Sequence, residues 1–330
     1  MTSRVVPLLG GPLALACAAT LVCAQDPLPS WNDGHAKQRI VAFVTAVTNP
    51  AGTDFVPPAD RIAVFDNDGT LWSEQPVYVQ LAFALDRIKA LAPQHPEWKQ
   101  QQPFRGVLEG DLKSAAASGE RGLLQMMMAT HAGMTSDEFA RTVETWLAAA
   151  RHPRFERPYP ELVYQPMLEL LAYLRGAGFK TYIVSGGGVE FMRVFAERRY
   201  GVPPEQVIGS TIRTRYEVRN GTPTIVRLPE VDFVDDGAGK PAGIHKLIGR
   251  RPIAAFGNSD GDFEMLEWAT AAPGPRLGLI VHHEDAAREY AYDRGSPIGR
   301  LQRSLDEGPR RGWTIVSMKA DWKRIFPFEP

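Results

Sequence analysis

The chain has 330 residues, of which 44% are hydrophobic and 23% are charged. These proportions are typical of a globular protein with one large domain or two smaller ones. The formal net charge of −1 gives no electrostatic reason to expect a nucleic acid as partner. Composition therefore excludes a strongly basic nucleic-acid-binding protein, but it does not indicate a function.

The first 24 residues have the pattern of an export signal. Arg4 supplies the positive charge, an apolar run follows, and small residues precede a predicted cleavage after Ala24. Prolines and glycines in the run weaken the alternative of an uncleaved membrane anchor. Both cysteines, Cys17 and Cys23, lie in this segment, and a mature chain without thiols suits an oxidising compartment. We expect a periplasmic or secreted protein that is not inserted in a membrane after cleavage.

Short apolar runs that end at polar or glycine-rich turns predict buried parallel strands. They cover residues 62–65, 179–184, 252–256 and 277–281. Between the first two runs, only helical patterns broken by proline and glycine occur, which indicates a helical lid. The sequence thus predicts an α/β fold, a doubly wound parallel sheet with a helical cap inserted after the first strand. We assign residues 25–74 and 161–330 to the α/β core and residues 75–160 to the cap.

The first predicted strand ends in Asp66-Asn67-Asp68-Gly69-Thr70. In an open parallel sheet, ligands bind beyond the carboxyl ends of the strands. Two carboxylates that are two residues apart begin on the same face, and such like charges need a shared proton or cation. The pattern indicates a Mg²⁺ site in which one carboxylate is a nucleophile and the other an acid and base. The alternative is an ordinary Asp-rich turn.

Two further strand ends carry polar groups. Ser185-Gly186-Gly187-Gly188 precedes a predicted helix, and a hydroxyl with exposed backbone N–H groups there suits a phosphate. The alternative is a glycine-rich turn selected only for tightness. The third strand ends in the segment 257–262, which again places carboxylates at a strand end. One crevice of a doubly wound sheet can collect all three groups.

Together these segments resemble the four motifs of the haloacid dehalogenase superfamily of hydrolases, specifically its phosphatase branch. Asp66 to Thr70 matches the first motif, Ser185 the second, a lysine before residue 257 the third, and residues 257–262 the fourth. The helical insert resembles the phosphoserine-phosphatase-like subgroup with a C1-type helical cap. The whole chain resembles exported bacterial members, and the resemblance implies a Rossmann-like core.

The resemblance also implies roles for individual residues. Asp66 would attack phosphorus and form an aspartyl-phosphate, Asp68 would protonate the leaving alcohol and then activate water, and Ser185 would hydrogen-bond the phosphoryl group. Lys240 is the expected catalytic lysine, with Lys246 as the alternative. The residues expected to bind phosphate are Gly69, Thr70, Gly186 and Gly187.

The expected cofactor is Mg²⁺, held by the Asp66 carboxylate, the Asp68 backbone carbonyl and the fourth motif. In that motif Asp262 matches the second aspartate of the family. Asn258 stands where the family often has its first aspartate, and its amide oxygen can still bind the ion. Asp260 is the alternative to these ligands.

The sequence therefore predicts a Mg²⁺-dependent phosphomonoester hydrolase that acts on a small phosphorylated substrate; it does not indicate the oligomeric state. A phosphotransferase or a dehalogenase-type hydrolase of the same superfamily is the alternative. Asp68 argues against a dehalogenase because displacement of a halogen releases no alcohol to protonate. An alternative of another class is a non-catalytic binding protein with this fold, against which the complete motif set argues.

Two side features carry expectations of their own. Glu74, just after the first motif, is either a contact for a cationic substrate group or a surface carboxylate.

His282 and His283 follow the fourth predicted strand. Adjacent residues of an extended segment point in opposite directions, so both cannot easily bind one ion. We expect them to be loop histidines near the rim of the site.

Overall fold

The computed structural model describes Thr2 and residues 26–329. Apart from Thr2, the expected export signal lies outside these residues and stays a prediction. Among the described helices, none combines the length and the apolar character needed to cross a membrane.

The described residues form an eight-stranded sheet with the spatial order β4-β3-β2-β1-β5-β6, in which β7 and β8 both pair with β6. The pairings β3–β4 and β6–β7 are antiparallel, and the others are parallel. The predicted α/β class with a mostly parallel sheet is confirmed. The strands are Ile62–Phe65 (β1), Lys180–Gly188 (β2), Val207–Arg219 (β3), Thr222–Phe233 (β4), Ala254–Gly257 (β5), Leu277–Glu284 (β6), Ala291–Tyr292 (β7) and Thr314–Ser317 (β8).

Helices surround this sheet and fill the long segment between β1 and β2. Before and within that segment they are His35–Thr48 (α1), Val79–Leu91 (α2), Phe104–Glu109 (α3), Leu112–Ala116 (α4), Gly119–His131 (α5), Ser136–Ala149 (α6) and Gln165–Gly176 (α7). After β2 they are Val189–Arg193 (α8), Ala196–Tyr200 (α9), Gly239–Ile248 (α10), Phe263–Thr270 (α11), Arg303–Glu307 (α12) and Met318–Asp321 (α13).

Strand β1 lies at the centre of the sheet, between β2 and β5. Ala63 and Phe65 belong to one apolar cluster together with α1 and α7. Ile62 and Val64 belong to a second cluster, together with α10 and α11. Since successive side chains of a strand point to opposite faces, both faces of the sheet are covered. Because both faces of β1 are buried, all four of its residues are apolar, as is typical of a strand inside a parallel sheet.

The segment predicted as the cap contains helices and, among its described residues, no strand. Helices α2 to α5 enclose a small apolar cluster of their own, which includes Ile88, Trp98 and Met126. Helix α6 begins at a capping box formed by Thr135 and Glu138. Its buried residues join the main core instead of the small cluster. The apolar face of α6 therefore ties the helical segment to the sheet.

Three element boundaries differ from the sequence expectation. Strand β2 continues to Gly188, because Ser185 and Gly188 both pair with β3 across a register shift of the kind that a β-bulge produces. The predicted single helix that follows is two short helices, α8 and α9. The sequence pattern predicts a short helix over residues 243–249, but helix α10 begins earlier, at Gly239, so Lys240 lies in its first turn.

Candidate active site

The carboxyl ends of β1, β2 and β5 are neighbours, and they bring the predicted site residues together. Asp66 directly follows β1, and its backbone N–H donates to the carbonyl oxygen of Phe256 at 2.9 Å. Ser185 lies in the last part of β2 and is buried. Asn258 follows β5 and is buried as well. The first, second and fourth motifs therefore meet at one edge of the sheet.

Lys240 is the lysine that reaches Asp66. Its Nζ atom donates to Asp66 Oδ1 at 2.7 Å and to Asp262 Oδ1 at 2.5 Å. The Lys240 residue is only 2% exposed, and both carboxylates are buried. Lys246 is exposed and lies 5.8 Å from the centre of the Phe233 ring. The alternative assignment to Lys246 is therefore not supported.

Burial governs the charge state of this group. Burial and the neighbouring Asp262 raise the pKa of Asp66 well above its usual value, and Lys240 offsets this only in part. Burial by itself would lower the pKa of Lys240, but Asp262 and Asp66 raise it above its ordinary value. Lys240 is thus a permanent cation at neutral pH between two buried carboxylates.

Asp68 is held by an aromatic side chain of its own loop. Its Oδ1 atom accepts a hydrogen bond from Trp72 Nε1 at 2.9 Å, and Trp72 stacks on Phe195 with ring centres 4.4 Å apart. Burial raises the pKa of Asp68. A carboxyl group with a raised pKa retains the proton that a general acid must donate.

Asp68, Ser185 and one unpredicted residue border a common space. A Cβ atom built on Gly187 would lie 3.7 Å from Asp68 Oδ2, 3.5 Å from Ser185 Oγ and 3.5 Å from Gln80 Oε1. Gln80 comes from the first turn of α2. No pattern in the sequence marks it, because its relevance depends on how α2 is placed over β2.

In the fourth motif, Asp262 and Asn258 are both fixed by hydrogen bonds. Asp262 Oδ2 accepts from the backbone N–H groups of Asn258 and Ser259 at 2.9 and 3.0 Å. The Asn258 amide oxygen accepts from Thr70 Oγ1 at 3.0 Å, and its nitrogen donates to Glu74 at 2.7 Å. Because its oxygen is already engaged, the role of Asn258 as a metal ligand stays a prediction.

Asp260 is engaged outside the site. Its carboxylate accepts from the backbone N–H groups of Gln302 and Ser304 at 3.0–3.1 Å. It thereby holds the beginning of α12, so the structure gives no support to Asp260 as a metal ligand.

The groups expected to bind phosphate fall into two sets. The N–H of Gly69 donates to the Trp72 carbonyl at 2.8 Å, and the N–H of Thr70 donates to the Asn67 carbonyl at 3.2 Å. These groups hold the loop, so the expectation that Gly69 and Thr70 bind phosphate is not supported by the observed hydrogen bonds. Gly186 is exposed, and Gly187 borders the space described above. These two residues lie where a phosphate could be reached.

A second buried polar group lies behind the catalytic loop. Glu74 is 2% exposed, and its Oε1 atom accepts from Asn258 Nδ2 and, at 2.8 Å, from the Tyr292 hydroxyl. Burial raises the pKa of Glu74 well above its usual value. The expectation of a surface carboxylate is wrong, because packing of Tyr292 and Asn258 covers this side chain.

His283 belongs to the same region. It lies in β6 and is buried, with Nε2 2.7 Å from the Gly69 carbonyl oxygen and Nδ1 3.3 Å from Glu289 Oε2. The expectation of loop histidines is wrong for both residues, since both lie in β6, and His283 is also buried. Strand alternation could have indicated this, since His283 shares a face with the buried residues Leu279 and Val281, whereas His282 is on the other face.

The oxygen atoms around Asp66 are of the kind that bind a magnesium ion. Mg²⁺ prefers carboxylate and carbonyl oxygens, and the Asp66 and Asp262 carboxylates supply such oxygens side by side. Among the described residues, no three acidic, histidine or cysteine side chains converge on one point. Around Asp66, however, buried carboxylates outnumber the single cation Lys240. This charge balance and the oxygen donors fit a further hard cation.

Comparison with known proteins identifies the family. The sequence model of the haloacid dehalogenase-like hydrolases matches residues 63–267. A conserved protein of unknown function from Anaerococcus prevotii DSM 20548 has a similar structure, with a TM-score of 0.52 and 17% identity over 76% of this chain and 86% of that chain. A protein of unknown function from Bordetella pertussis Tohama I has a TM-score of 0.48 and 18% sequence identity, over 78% of this chain and 97% of that chain.

A phosphoserine phosphohydrolase-like protein from Francisella tularensis gives a TM-score of 0.38 and 16% identity, over 76% of this chain and 98% of that chain. None of the curated proteins matches this sequence. The family match covers more than half of the chain and includes the ends of β1, β2 and β5. The chain belongs to the haloacid dehalogenase-like hydrolase family.

Proposed function

We propose that the protein is a Mg²⁺-dependent phosphomonoester hydrolase that acts through an aspartyl-phosphate on Asp66. The observation that carries this proposal is the Lys240 ammonium group between the Asp66 and Asp262 carboxylates, together with Asp68 and Ser185, which border a common space beside Gly187. Phosphoryl transfer depends mainly on positioning and on neutralisation of charge. A buried nucleophile, a fixed cation and an acid at one strand edge supply these requirements.

The proposed reaction has two steps. An Asp66 oxygen forms a bond to phosphorus while the bond from phosphorus to the ester oxygen breaks, and Asp68 gives its proton to the departing alcohol. Asp68, now a carboxylate, then takes a proton from a water molecule that attacks the same phosphorus. The bond between phosphorus and Asp66 breaks, which releases inorganic phosphate and restores both carboxyl groups. Lys240 compensates charge at Asp66, and the Ser185 hydroxyl donates to a phosphoryl oxygen.

The Asp66 and Asp262 carboxylates and the Asp68 backbone carbonyl would hold Mg²⁺. When bound, the ion neutralises charge on the phosphoryl oxygens. The protonated form of Asp68 also favours a phosphate ester over a halogenated carbon, since only the ester releases an alkoxide that needs a proton.

The proposal is tested by phosphate release from a panel of phosphomonoesters, with Mg²⁺ and with a chelator. We expect release that requires Mg²⁺ and that disappears in Asp66→Asn. Asp60→Asn is the matched control, because Asp60 is exposed and pairs with Arg250, and it should keep full activity. Release that survives in Asp66→Asn would reject the nucleophile. A panel without any hydrolysed ester would count against the phosphatase itself.

We also propose that the chain is exported to the periplasm or secreted. Expression of the full chain in a Gram-negative bacterium, followed by fractionation and N-terminal sequencing, tests this. The expected result is a periplasmic product that begins at Gln25. An intact N-terminus in the cytoplasmic fraction would contradict the proposal.

A further inference from the structure

Gln80 connects the helical segment to the glycine-rich end of β2. Its Oε1 atom accepts a hydrogen bond from the backbone N–H of Gly188 at 2.7 Å. The same oxygen borders the space shared by Asp68 and Ser185 next to Gly187. The Gln80 oxygen and the Oδ2 atom of the proposed general acid Asp68 therefore border the same space.

A chain of hydrogen bonds fixes the orientation of this carboxamide. Thr130 Oγ1 donates to the Met126 carbonyl at 2.8 Å and lies 2.7 Å from His131 Nδ1. Since the Thr130 proton is used, its oxygen accepts from His131 Nδ1–H. In the neutral ring, His131 Nε2 is then an acceptor, and it takes an N–H of Gln80 at 3.0 Å. This assigns the Gln80 nitrogen to His131 and its oxygen to Gly188.

His131 is itself held from several sides. Its carbonyl oxygen accepts from Arg227 Nε of β4 at 2.7 Å. Its ring packs edge-on against Phe83 with centres 5.4 Å apart and contacts Phe139 at 5.0 Å. Burial and the nearby Arg227 lower the pKa of His131 to about 3, which agrees with the neutral ring required above. Gln80 thus rests on a rigid support.

The remaining hydrogen-bonding capacity of Gln80 indicates what it can bind. A carboxamide has two N–H donors and two acceptor sites on oxygen. Among the described residues, His131 uses one donor and Gly188 uses one acceptor site. One donor and one acceptor site of the carboxamide remain, and its oxygen borders the space next to Gly187. A hydroxyl group both donates and accepts, whereas a carboxylate only accepts and an ammonium group only donates.

We propose that Gln80 is a specificity-determining residue that binds a hydroxyl group of the leaving alcohol, and that His131 is the positioning residue that orients it. The substrate class is then a phosphomonoester of a polyol or sugar, with a hydroxyl group close to the ester oxygen. This inference rests on the proposed phosphatase function and specifies its substrate.

The test compares glycerol 1-phosphate with propyl phosphate, which lacks the hydroxyl groups. We expect kcat/KM of the wild-type chain to favour glycerol 1-phosphate by about tenfold or more, because a site that binds a hydroxyl group rejects the analogue without it. In Gln80→Met, which has a similar length, this ratio should fall toward one. Gln125→Met is the matched control, since Gln125 is an exposed glutamine of α5, and it should keep the wild-type ratio.

His131→Phe tests the positioning role and keeps an aromatic ring against Phe83 and Phe139. We expect it to lower the ratio, while the double variant with Gln80→Met shows no further loss, because His131 acts through Gln80. Additive losses would overturn this role. An unchanged ratio in Gln80→Met would overturn the specificity assignment while leaving the phosphatase proposal intact.

Binding without turnover separates the two proposals. In Asp66→Asn with Mg²⁺, glycerol 1-phosphate should raise the melting temperature more than propyl phosphate does, and Gln80→Met in the same background should remove the difference. If the wild-type chain hydrolyses no ester of the panel but this difference is found, the phosphatase proposal fails and the Gln80 assignment stands. Equal shifts for the two esters overturn the Gln80 assignment.

Discussion

Two buried polar clusters flank the loop that follows β1, and they are held in different ways. The ionic cluster consists of Asp66, Asp68, Asp262 and Lys240, with Lys240 bonded to two of the carboxylates. The support cluster consists of Glu74, Asn258, His283, Glu289 and Tyr292, which are linked mainly by hydrogen bonds of amide, hydroxyl and imidazole groups. The ionic cluster faces the Ser185 side, and the support cluster contacts Gly69 and Thr70 from behind.

The contrast shows that burial of an acidic side chain does not by itself indicate chemistry. Asp66 has a lysine within hydrogen-bond distance, and an ion pair can keep a buried carboxylate charged. Burial raises the pKa of both carboxyl groups, but Lys240 offsets this in part at Asp66, whereas Glu74 has only neutral hydrogen-bond donors and no cation beside it to favour its charged form. We interpret the ionic cluster as the reacting group and the support cluster as the part that fixes the loop backbone. At Gly69, where φ is +73°, a side chain would overlap with Asn258 and Glu74.

The largest effect is expected from Asp68→Asn in the ionic cluster. The amide oxygen can still accept from Trp72, but the group cannot donate a proton to the leaving alcohol. We expect kcat/KM for an alkyl phosphate, which reports the steps up to release of the alcohol, to fall by about 10²–10⁴-fold, the range for loss of a general acid. The kcat/KM of an aryl phosphate, which leaves without a proton, should fall much less, whereas kcat falls for both esters because Asp68 also activates water in the second step. An equal loss of kcat/KM for both esters would contradict the acid role of Asp68.

Lys240→Met should combine a loss of activity with a loss of stability. The substitution leaves Asp66 and Asp262 buried without their cation, and breaking such a buried pair costs about 3–5 kcal/mol. Lys246→Met is the control, since Lys246 is exposed and should change the free energy of unfolding by less than about 0.5 kcal/mol. Denaturant unfolding without divalent cations measures both values. Similar values for the two variants would mean that Lys240 does not hold the ionic cluster together.

The strands, the helices and the ionic cluster could largely be predicted because their signals are local. The run 62–65 followed by Asp66 and Asp68 places two carboxylates at a strand end without reference to any distant residue. The family resemblance favoured Lys240 because it precedes the helix predicted over residues 243–249, whereas Lys246 lies within it. In the structure the helix begins earlier, so Lys240 lies in its first turn. Family motifs added the roles that the pattern alone left open.

The support cluster could not be predicted, because no family motif indicates Glu74, Tyr292 or Glu289, whereas the similarly distant contact of Lys240 with Asp66 joins residues that the motifs single out. Glu74 meets Asn258, which is 184 residues away, and Tyr292, which is 218 residues away. Whether Glu74 is a surface carboxylate or a buried one depends on this packing. The orientation of Asn258 likewise depends on Thr70 and Glu74 together. The sequence does not indicate a role for Gln80, because a polar residue in the first turn of a helix is common and only its neighbours in the fold show what it contacts.

His283→Phe tests whether the support cluster acts through the loop backbone. The rings of His283 and Tyr292 stack with their centres 4.4 Å apart, and a phenylalanine ring can keep this contact. The Gly69 carbonyl oxygen, however, loses the hydrogen-bond donor that His283 supplies. An unsatisfied buried carbonyl costs about 1–3 kcal/mol of stability. Gly69 follows Asp68 directly, so a shift of the Gly69 backbone would displace the Asp68 carboxyl group. Since small displacements of catalytic groups are costly, we expect kcat to fall by about tenfold and KM to change less. His282→Phe, on the opposite face, should leave both constants nearly unchanged, and equal effects of the two variants would refute the role.

Glu74→Gln makes the same chemical change as Asp68→Asn and should have the smallest effect. The new amide oxygen can accept from Asn258 and Tyr292, so at pH 5 the free energy of unfolding should change by less than about 1 kcal/mol. Since the pKa of Glu74 is raised above its ordinary 4.5, the carboxyl group contributes stability that is complete below pH 4.5 and is lost as the pH rises through the folded-state pKa.

Glutamine does not ionise, so the variant should gain stability relative to the wild-type chain between pH 5 and pH 8, as measured by urea unfolding without divalent cations. A variant that instead loses about 3 kcal/mol or more at pH 8 would have removed a buried, paired charge. Glu74 would then belong to the ionic cluster, and the division between a reacting cluster and a supporting one would have to be redrawn around it.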